Sequence, residues 1–304
     1  MNKGKAWLME LRAPFFTATI IPILLGTAIA FNLFHTINWF YFILTLLGGL
    51  FLHAGANVIN DYFDHVTKND ELNKEFIRPF TGGSRVIQNK LMTPKEVLIE
   101  ALICLGIGSL IGVYLAIKLG WVIIALGVFG VFSAIFYVEP KINLVGRGIG
   151  ELLIALNFGV LMTFGSFYVQ TSQFSWIPIF ASLPVALLIA AVLYINEFQD
   201  AKADYAVGKT HLVVRWGKKQ AVKGYILMMI FTYLVVVLGV VTDNLPPITL
   251  ISLLTIPIAL KAIKTAQQYY DDNVKLVPAN AGTIMNHLFT GILLTISFYI
   301  DRLL

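Results

Sequence analysis

Charged residues are missing from long stretches of this chain. Residues 13–60 contain no Asp, Glu, Lys or Arg, a run of 48, and residues 152–196 form a second run of 45. Five further runs, at 101–117, 119–138, 224–242, 244–260 and 276–300, are each 17–25 residues long. A membrane-crossing helix needs roughly 17–25 predominantly apolar residues. The two long runs therefore hold two helices each and the other five hold one each. Polar breaks at Asn32–Asn38 and Thr171–Gln173 divide the long runs. The predicted spans are 13–33, 38–60, 96–117, 120–138, 150–170, 176–196, 222–241, 247–264 and 282–301. The expected fold is an all-α membrane protein, with nine transmembrane helices in one bundle and residues 1–304 forming a single unit.

Composition supports this reading. Hydrophobic residues make up 58% of the 304 and charged residues 13%, against about 25% charged in an average soluble domain. Disorder is excluded, and a soluble core could not hide so much apolar surface. The single Cys104 leaves no disulfide framework and no cysteine metal cluster.

The +5 net charge first suggests a nucleic-acid partner, but its distribution favours a membrane. With nine alternating spans, 20 of the 22 Lys and Arg fall on one side, leaving Lys118 and Arg302 on the other. By the positive-inside rule the rich side is cytoplasmic. The N-terminus is then inside, the C-terminus outside, and no nucleic-acid partner is expected. Fifteen of the 17 acids share the cytoplasmic side. Acids contribute little to topology, so their clustering there points to chemistry.

Two segments carry that chemistry. Asn60-Asp61-Tyr62-Phe63-Asp64 ends the second span, and Asn196-Glu197-Phe198-Gln199-Asp200 ends the sixth, 136 residues later. Each is followed by a polar segment rich in Gly, Lys and Arg. The pair (57–64 and 196–204) reads as an internal repeat of a helical hairpin. On a helix, Asn60 shares a face with Asp64, as do Asn196, Asp200 and Asp204. Like charges this close need a counter-ion. Magnesium suits them, because it is held by one or two carboxylates together with substrate phosphates and water. No sequence cluster of Cys and His suggests zinc. Arg78-Pro79-Phe80-Thr81-Gly82-Gly83-Ser84-Arg85 and Gly208-Lys209-Thr210-His211, with Arg215 beyond, add cations suited to a diphosphate. Gly82-Gly83 alone is a weak phosphate-loop signal, open to reading as a plain turn.

These motifs resemble the UbiA superfamily of intramembrane prenyltransferases. Asn60-Asp61-x-x-Asp64 and Asn196-x-x-x-Asp200-x-x-x-Asp204 are similar to its two aspartate-rich motifs, Tyr137-x-x-x-Lys141 to its third motif, and Arg12-Ala13-Pro14 to its N-terminal Arg-Pro signature. The chain departs from the family at Lys68, where many members carry another Asp; Asp70 lies nearby. Asn-Asp-Tyr-x-Asp followed by Gly82-Gly83 looks most like the menaquinone branch, which prenylates 1,4-dihydroxy-2-naphthoate. Other acceptors remain open, namely 4-hydroxybenzoate and geranylgeranylglyceryl phosphate. A polyprenyl-phosphate or divalent-cation carrier is the alternative of another class.

The resemblance implies magnesium-dependent transfer of a polyprenyl group from its diphosphate to an aromatic or lipid-precursor acceptor. Asn60, Asp61, Asp64, Asn196, Asp200 and Asp204 are expected to hold the metal directly or through water. Arg12, Arg78, Lys141, Lys209 and Arg215 are the expected diphosphate ligands. Asp64, Asp200, Tyr137 and Lys141 are the expected catalytic residues, with Asp64 a candidate base. Tyr62, Tyr137, Tyr194 and Phe198 are aromatic candidates for meeting an allylic cation. The expected location is the cell membrane, multi-pass, with the site toward the cytoplasm.

Overall fold

The computed structural model describes residues 3–304, so the predicted unit 1–304 includes two residues outside the described ones. Among the described residues there are helices and turns and no strand. Helix α1 (Lys3–Glu10) leads through a 3₁₀ turn (Ala13–Phe16) into α2 (Thr17–Phe34) and α3 (Trp39–Val66). A short α4 (Asn69–Leu72) opens a long polar loop that ends at α5 (Pro94–Leu119), and α6 (Trp121–Phe136) follows. Helix α7 (Gly150–Ala155) passes through a π segment (Leu156–Leu161) into α8 (Met162–Thr171). Then come α9 (Ile177–Ala206), α10 (Leu212–Trp216) and α11 (Lys218–Val241). A 3₁₀ stretch (Pro247–Thr255) leads into α12 (Ile256–Tyr269), and α13 (Val277–Leu303) closes the chain.

Each predicted span falls on helical chain, although 150–170 is made of α7, the π segment and α8, and 247–264 of the 3₁₀ stretch and α12. Eight helical segments among the described residues are long and apolar enough to cross a membrane; α6, at 16 residues, is the shorter apolar helix in the fourth predicted place. Helix starts follow local chemistry. The Asn38 side chain accepts from the Tyr41 backbone N–H at 3.0 Å to cap α3. Thr93 and Glu96 cap α5 reciprocally.

Two differences from prediction bear on the site. Helix α3 continues to Val66 and α9 to Ala206, six and ten residues past the predicted span ends. Loss of apolar character marks where lipid ends; it does not mark where hydrogen-bonded helix ends. Both aspartate motifs therefore lie on intact helical turns.

Small residues set the helix spacing, as expected where lipid supplies no hydrophobic drive between helices. A Cβ at Gly159, in the π segment, would sit 2.5 Å from Cα of Ala186 on α9. One at Gly26 on α2 would sit 2.2 Å from the Thr163 carbonyl on α8. Helix α9 runs through the middle of the bundle, against α2, α7, α8, α11 and α13. Tyr194, Ile195 and Phe198 on α9 are buried in a shared core with Tyr225 and Met229 of α11 and Ala279 of α13.

Candidate active site

The polar loop after α3 folds across to the end of α9 and ties the two motifs together. Asn69 donates through Nδ2 to Asp204 Oδ1 at 2.7 Å, and Asn73 donates to Asp200 Oδ1 at 2.6 Å. Lys209, just beyond α9, closes the link from the other side. Its ammonium pairs with Asp64, and its backbone N–H donates to the Asp204 carbonyl at 2.9 Å. Burial works against the charge of Lys209, but Asp64 and Asp204 outweigh it and hold its pKa above the ordinary lysine value.

Asp61 is 3% exposed. It accepts from the Ser84 backbone N–H at 2.7 Å and lies 3.6 Å from the Arg12 guanidinium. That approach explains the glycine pair. Gly82 and Gly83 have φ of +75° and +66°, and a Cβ on Gly83 would lie 2.8 Å from Asp61 Oδ1. The pair is a turn that lets backbone reach a carboxylate. Ser84 also donates through its hydroxyl to Glu10, which is fully buried. Arg85 locks the same loop: it donates to the carbonyls of Asp70 and Asn73 and stacks on Phe76 with its guanidinium 3.8 Å from the ring centroid.

Lys68, where many family members carry an acid, is exposed. Asp70 instead turns inward and accepts from Gln88 at 3.2 Å. Burial, then the charges of Asp64 and Asp61, push its pKa up to about 8. An acid two residues later thus joins the cluster.

An apolar cavity of about 360 Å³ lies within the bundle. Its polar end is formed by Arg12, Asn60, Tyr137 and Asn196. Leu44 of α3, Leu115 of α5 and Val169 of α8 also line it. From Asn60 to Leu44 is 16 residues of α3, roughly 24 Å along the helix. Asn60 Oδ1 and the Tyr137 hydroxyl are buried without a hydrogen-bond partner. Asn196 Oδ1 accepts from Asn280 at 2.7 Å. Phe15 and Phe158 also line this cavity. Of the four aromatics singled out from sequence, Tyr137 lines it, Tyr194 and Phe198 are buried in the core, and Tyr62 meets the Phe63 ring edge to face.

The structure thus brings together Asp61, Asp64, Asp200, Asp204, Lys209 and Arg12, with Asn60 and Asn196 at the adjoining cavity. The other cations stand apart. Arg78 is exposed beside Met9 Sδ at 3.6 Å, and the Lys141 side chain is exposed. Arg215 donates to the carbonyls of Thr210 at 2.5 Å and Gly146 at 3.2 Å. Sequence reasoning missed Glu10, Asn69, Asn73 and Gln88. The pair Asn69-x-x-x-Asn73, directly after the first motif, was a usable signal.

A family model described as the UbiA prenyltransferase family matches residues 19–284. The chain belongs to this family. The prenyltransferase is 26% identical to 2-carboxy-1,4-naphthoquinone phytyltransferase of Synechocystis sp., over 97% of this chain and 93% of that one. It is 27% identical to 1,4-dihydroxy-2-naphthoate octaprenyltransferase of Bacillus subtilis, over 94% and 89%. Its fold is similar to that of a UbiA homolog from Archaeoglobus fulgidus bound to DMAPP and Mg2+, with a TM-score of 0.66 at 16% identity over 95% of this chain and 99% of that chain.

The donor set fits a divalent cation. Four aspartates converge with one lysine and one arginine close to them, and Asn60 Oδ1 is an orphaned oxygen on the same helix end. Oxygen donors of this kind suit magnesium.

Proposed function

We propose that the prenyltransferase carries out magnesium-dependent transfer of a polyprenyl group from its diphosphate to an aromatic acceptor, 1,4-dihydroxy-2-naphthoate, in menaquinone biosynthesis. The observation that carries this reading is the junction of both aspartate motifs beside the polar end of an apolar cavity. The donor has the same character, a polyanionic head on an apolar tail. The relatives named for naphthoquinone and dihydroxynaphthoate substrates support the acceptor.

Asn60, Asp61, Asp64, Asn196, Asp200 and Asp204 are assigned to magnesium, directly or through water. A magnesium ion held by these residues would supply positive charge to the diphosphate oxygens as the allylic carbon–oxygen bond breaks. Lys209 and Arg12 supply fixed positive charge to the same leaving group, where it counts most in the transition state. Arg78 and Lys141, both exposed, are assigned to capturing the diphosphate as it arrives. Arg215 acts as a positioning residue, because its hydrogen bonds hold the turn that carries Lys209.

The cavity keeps water from the allylic cation. Phe15, Phe158 and Tyr137 line it and are the aromatic candidates for meeting that cation, a contact worth roughly 0.5–2 kcal/mol each. The acceptor's ring carbon then bonds the allylic carbon and gives up its proton, for which Asp64 is the candidate base, while the diphosphate departs with the electron pair of the broken carbon–oxygen bond. The enzyme spans the membrane several times, and the positive-inside count supports a single unit of nine spans with its site toward the cytoplasm.

Purified full-length enzyme with Mg2+, labelled polyprenyl diphosphate and each acceptor in turn tests this. Label is expected on dihydroxynaphthoate, with none once the metal is chelated. Label going instead to 4-hydroxybenzoate or geranylgeranylglyceryl phosphate overturns the acceptor. Label crossing vesicles without a new bond favours a carrier.

The cavity makes a second expectation. Gly130 lines it, and a Cβ there meets nothing nearer than Asn157 Oδ1 at 3.9 Å. Gly130→Phe is expected to shorten the tails accepted and leave the shortest donors usable. Mass spectrometry of the products reads this out, and an unchanged length distribution would put the tail elsewhere.

A further inference from the structure

Three side chains beside the aspartates have no part in the mechanism above. Glu151 opens α7, Glu197 lies on α9 and His211 immediately precedes α10. They are 3%, 5% and 1% exposed. One ligand atom from each lies within 4.8 Å of the other two. Two carboxylates buried this closely are costly unless something positive joins them.

Their hydrogen bonding leaves that space unfilled. The Leu212 backbone N–H donates to Glu151 Oε1 at 2.9 Å, while Glu151 Oε2 has no partner. Neither oxygen of Glu197 has one. His211 Nε2 lies 3.2 Å from Asp204 Oδ2, and its Nδ1, without a hydrogen bond, lies 3.4 Å from Glu197 Oε2. Two more buried groups near these residues are also unpartnered. Tyr194 is fully buried one turn before Glu197, and the Tyr137 hydroxyl lies 3.2 Å from the Cβ position of Gly150.

This is the arrangement that metal-binding histidines use. A carboxylate takes the N–H of one ring nitrogen and leaves the other nitrogen's lone pair aimed at the metal. Here Asp204 is that carboxylate and Nδ1 is the free nitrogen. A tetrahedral zinc ion with metal–ligand bonds near 2.0–2.2 Å separates neighbouring ligands by roughly 3.4 Å, the separation of Nδ1 from Glu197. One histidine and two carboxylates suit zinc-type ions, and three protein ligands leave a fourth position for water. Magnesium prefers six oxygens and is a poor match for this set.

We propose that Glu151, Glu197 and His211 form a second cation site that binds a zinc-type transition dication, separate from the aspartate site and joined to it through Asp204. Occupancy would fix the His211 ring and so steady the Asp204 carboxylate, which is otherwise held by Asn69.

The test uses purified full-length protein and Co2+ as the probe. The protein is loaded in excess Mg2+, desalted, and its cobalt measured by elemental analysis and visible absorption. Wild type is expected to keep one equivalent with a tetrahedral cobalt spectrum. Asp64→Asn and Asp200→Asn should keep that equivalent, whereas Glu197→Gln and His211→Gln should lose it. Glu151→Gln serves if either of those variants fails to fold. The proposal is overturned if wild type retains no cobalt, or if His211→Gln retains as much as wild type; the carboxylates would then share a proton. Loss of the equivalent in Asp64→Asn or Asp200→Asn also overturns it, since cobalt would then lie at the aspartates.

Discussion

Asp200→Asn is expected to cut prenyl transfer by roughly 10²–10³-fold while the protein still folds, the scale seen when one preorganised charge-stabilising group is removed. The amide keeps an oxygen for Asn73, which donates to Asp200 at 2.6 Å, so the loop stays anchored. What it loses is the charge that holds a cation against the leaving diphosphate. Asp64→Asn should fall at least as far in activity. It should also be less stable than Asp200→Asn, because it leaves the buried Lys209 ammonium without its ion-pair partner. Breaking one side of a buried pair costs about 3–5 kcal/mol. Labelled-product turnover and a thermal unfolding scan read the two effects separately. Full activity in either variant would sink the assignment of these helix ends to the chemistry.

Lys209→Met should be the most damaging single change among the basic residues. Lys209 is 8% exposed and pairs with Asp64, and its own backbone holds the Asp204 carbonyl. Removing the ammonium strips Asp64 of its ion-pair partner, while Arg12 still faces Asp61 and Arg85 still lies beside Asp70. Activity is expected to drop by about 10²–10⁴-fold, with Mg2+ affinity shifted as well, because Asp64 and Asp204 then depend far more on the metal for neutralisation. Lys141→Met, by contrast, alters an exposed side chain and should mainly raise the KM for the diphosphate donor. Equal losses in the two variants would show that burial does not rank these cations. Steady-state kinetics over a range of Mg2+ concentrations makes the comparison.

The acidic helix ends were legible in sequence, because helical spacing puts Asn60 with Asp64, and Asn196 with Asp200 and Asp204, on one face each, and lipid-length apolar runs show where the helices sit. The partners of those residues were harder to read. Asn69 meets Asp204 and Asn73 meets Asp200 across 135 and 127 residues of chain. Lys209 meets Asp64 across 145. Nothing in the spacing of Arg78, Lys141, Lys209 and Arg215 separates the one buried in the carboxylates from those at the surface. Gly82-Gly83 could be read as a phosphate loop or a turn until the carboxylate of Asp61 was found against it. His35 meets Arg302 at 2.9 Å and His53 meets Thr19 at 2.8 Å, across 267 and 34 residues of chain.

By itself the sequence determined the helical membrane architecture and the two acidic helix ends, since both are written in local periodicity and in the cost of burying charge in lipid. The tertiary structure alone decided which polar groups meet. It brought the loop after α3 under α9, seated one lysine among the aspartates and gathered Glu151, Glu197 and His211 from three separate elements. The physical reason is that a side chain's partners depend on how whole helices pack, through close approaches such as Gly26 on Thr163 and Gly159 on Ala186. Such distances are set by the complete bundle, and no local stretch of residues encodes them.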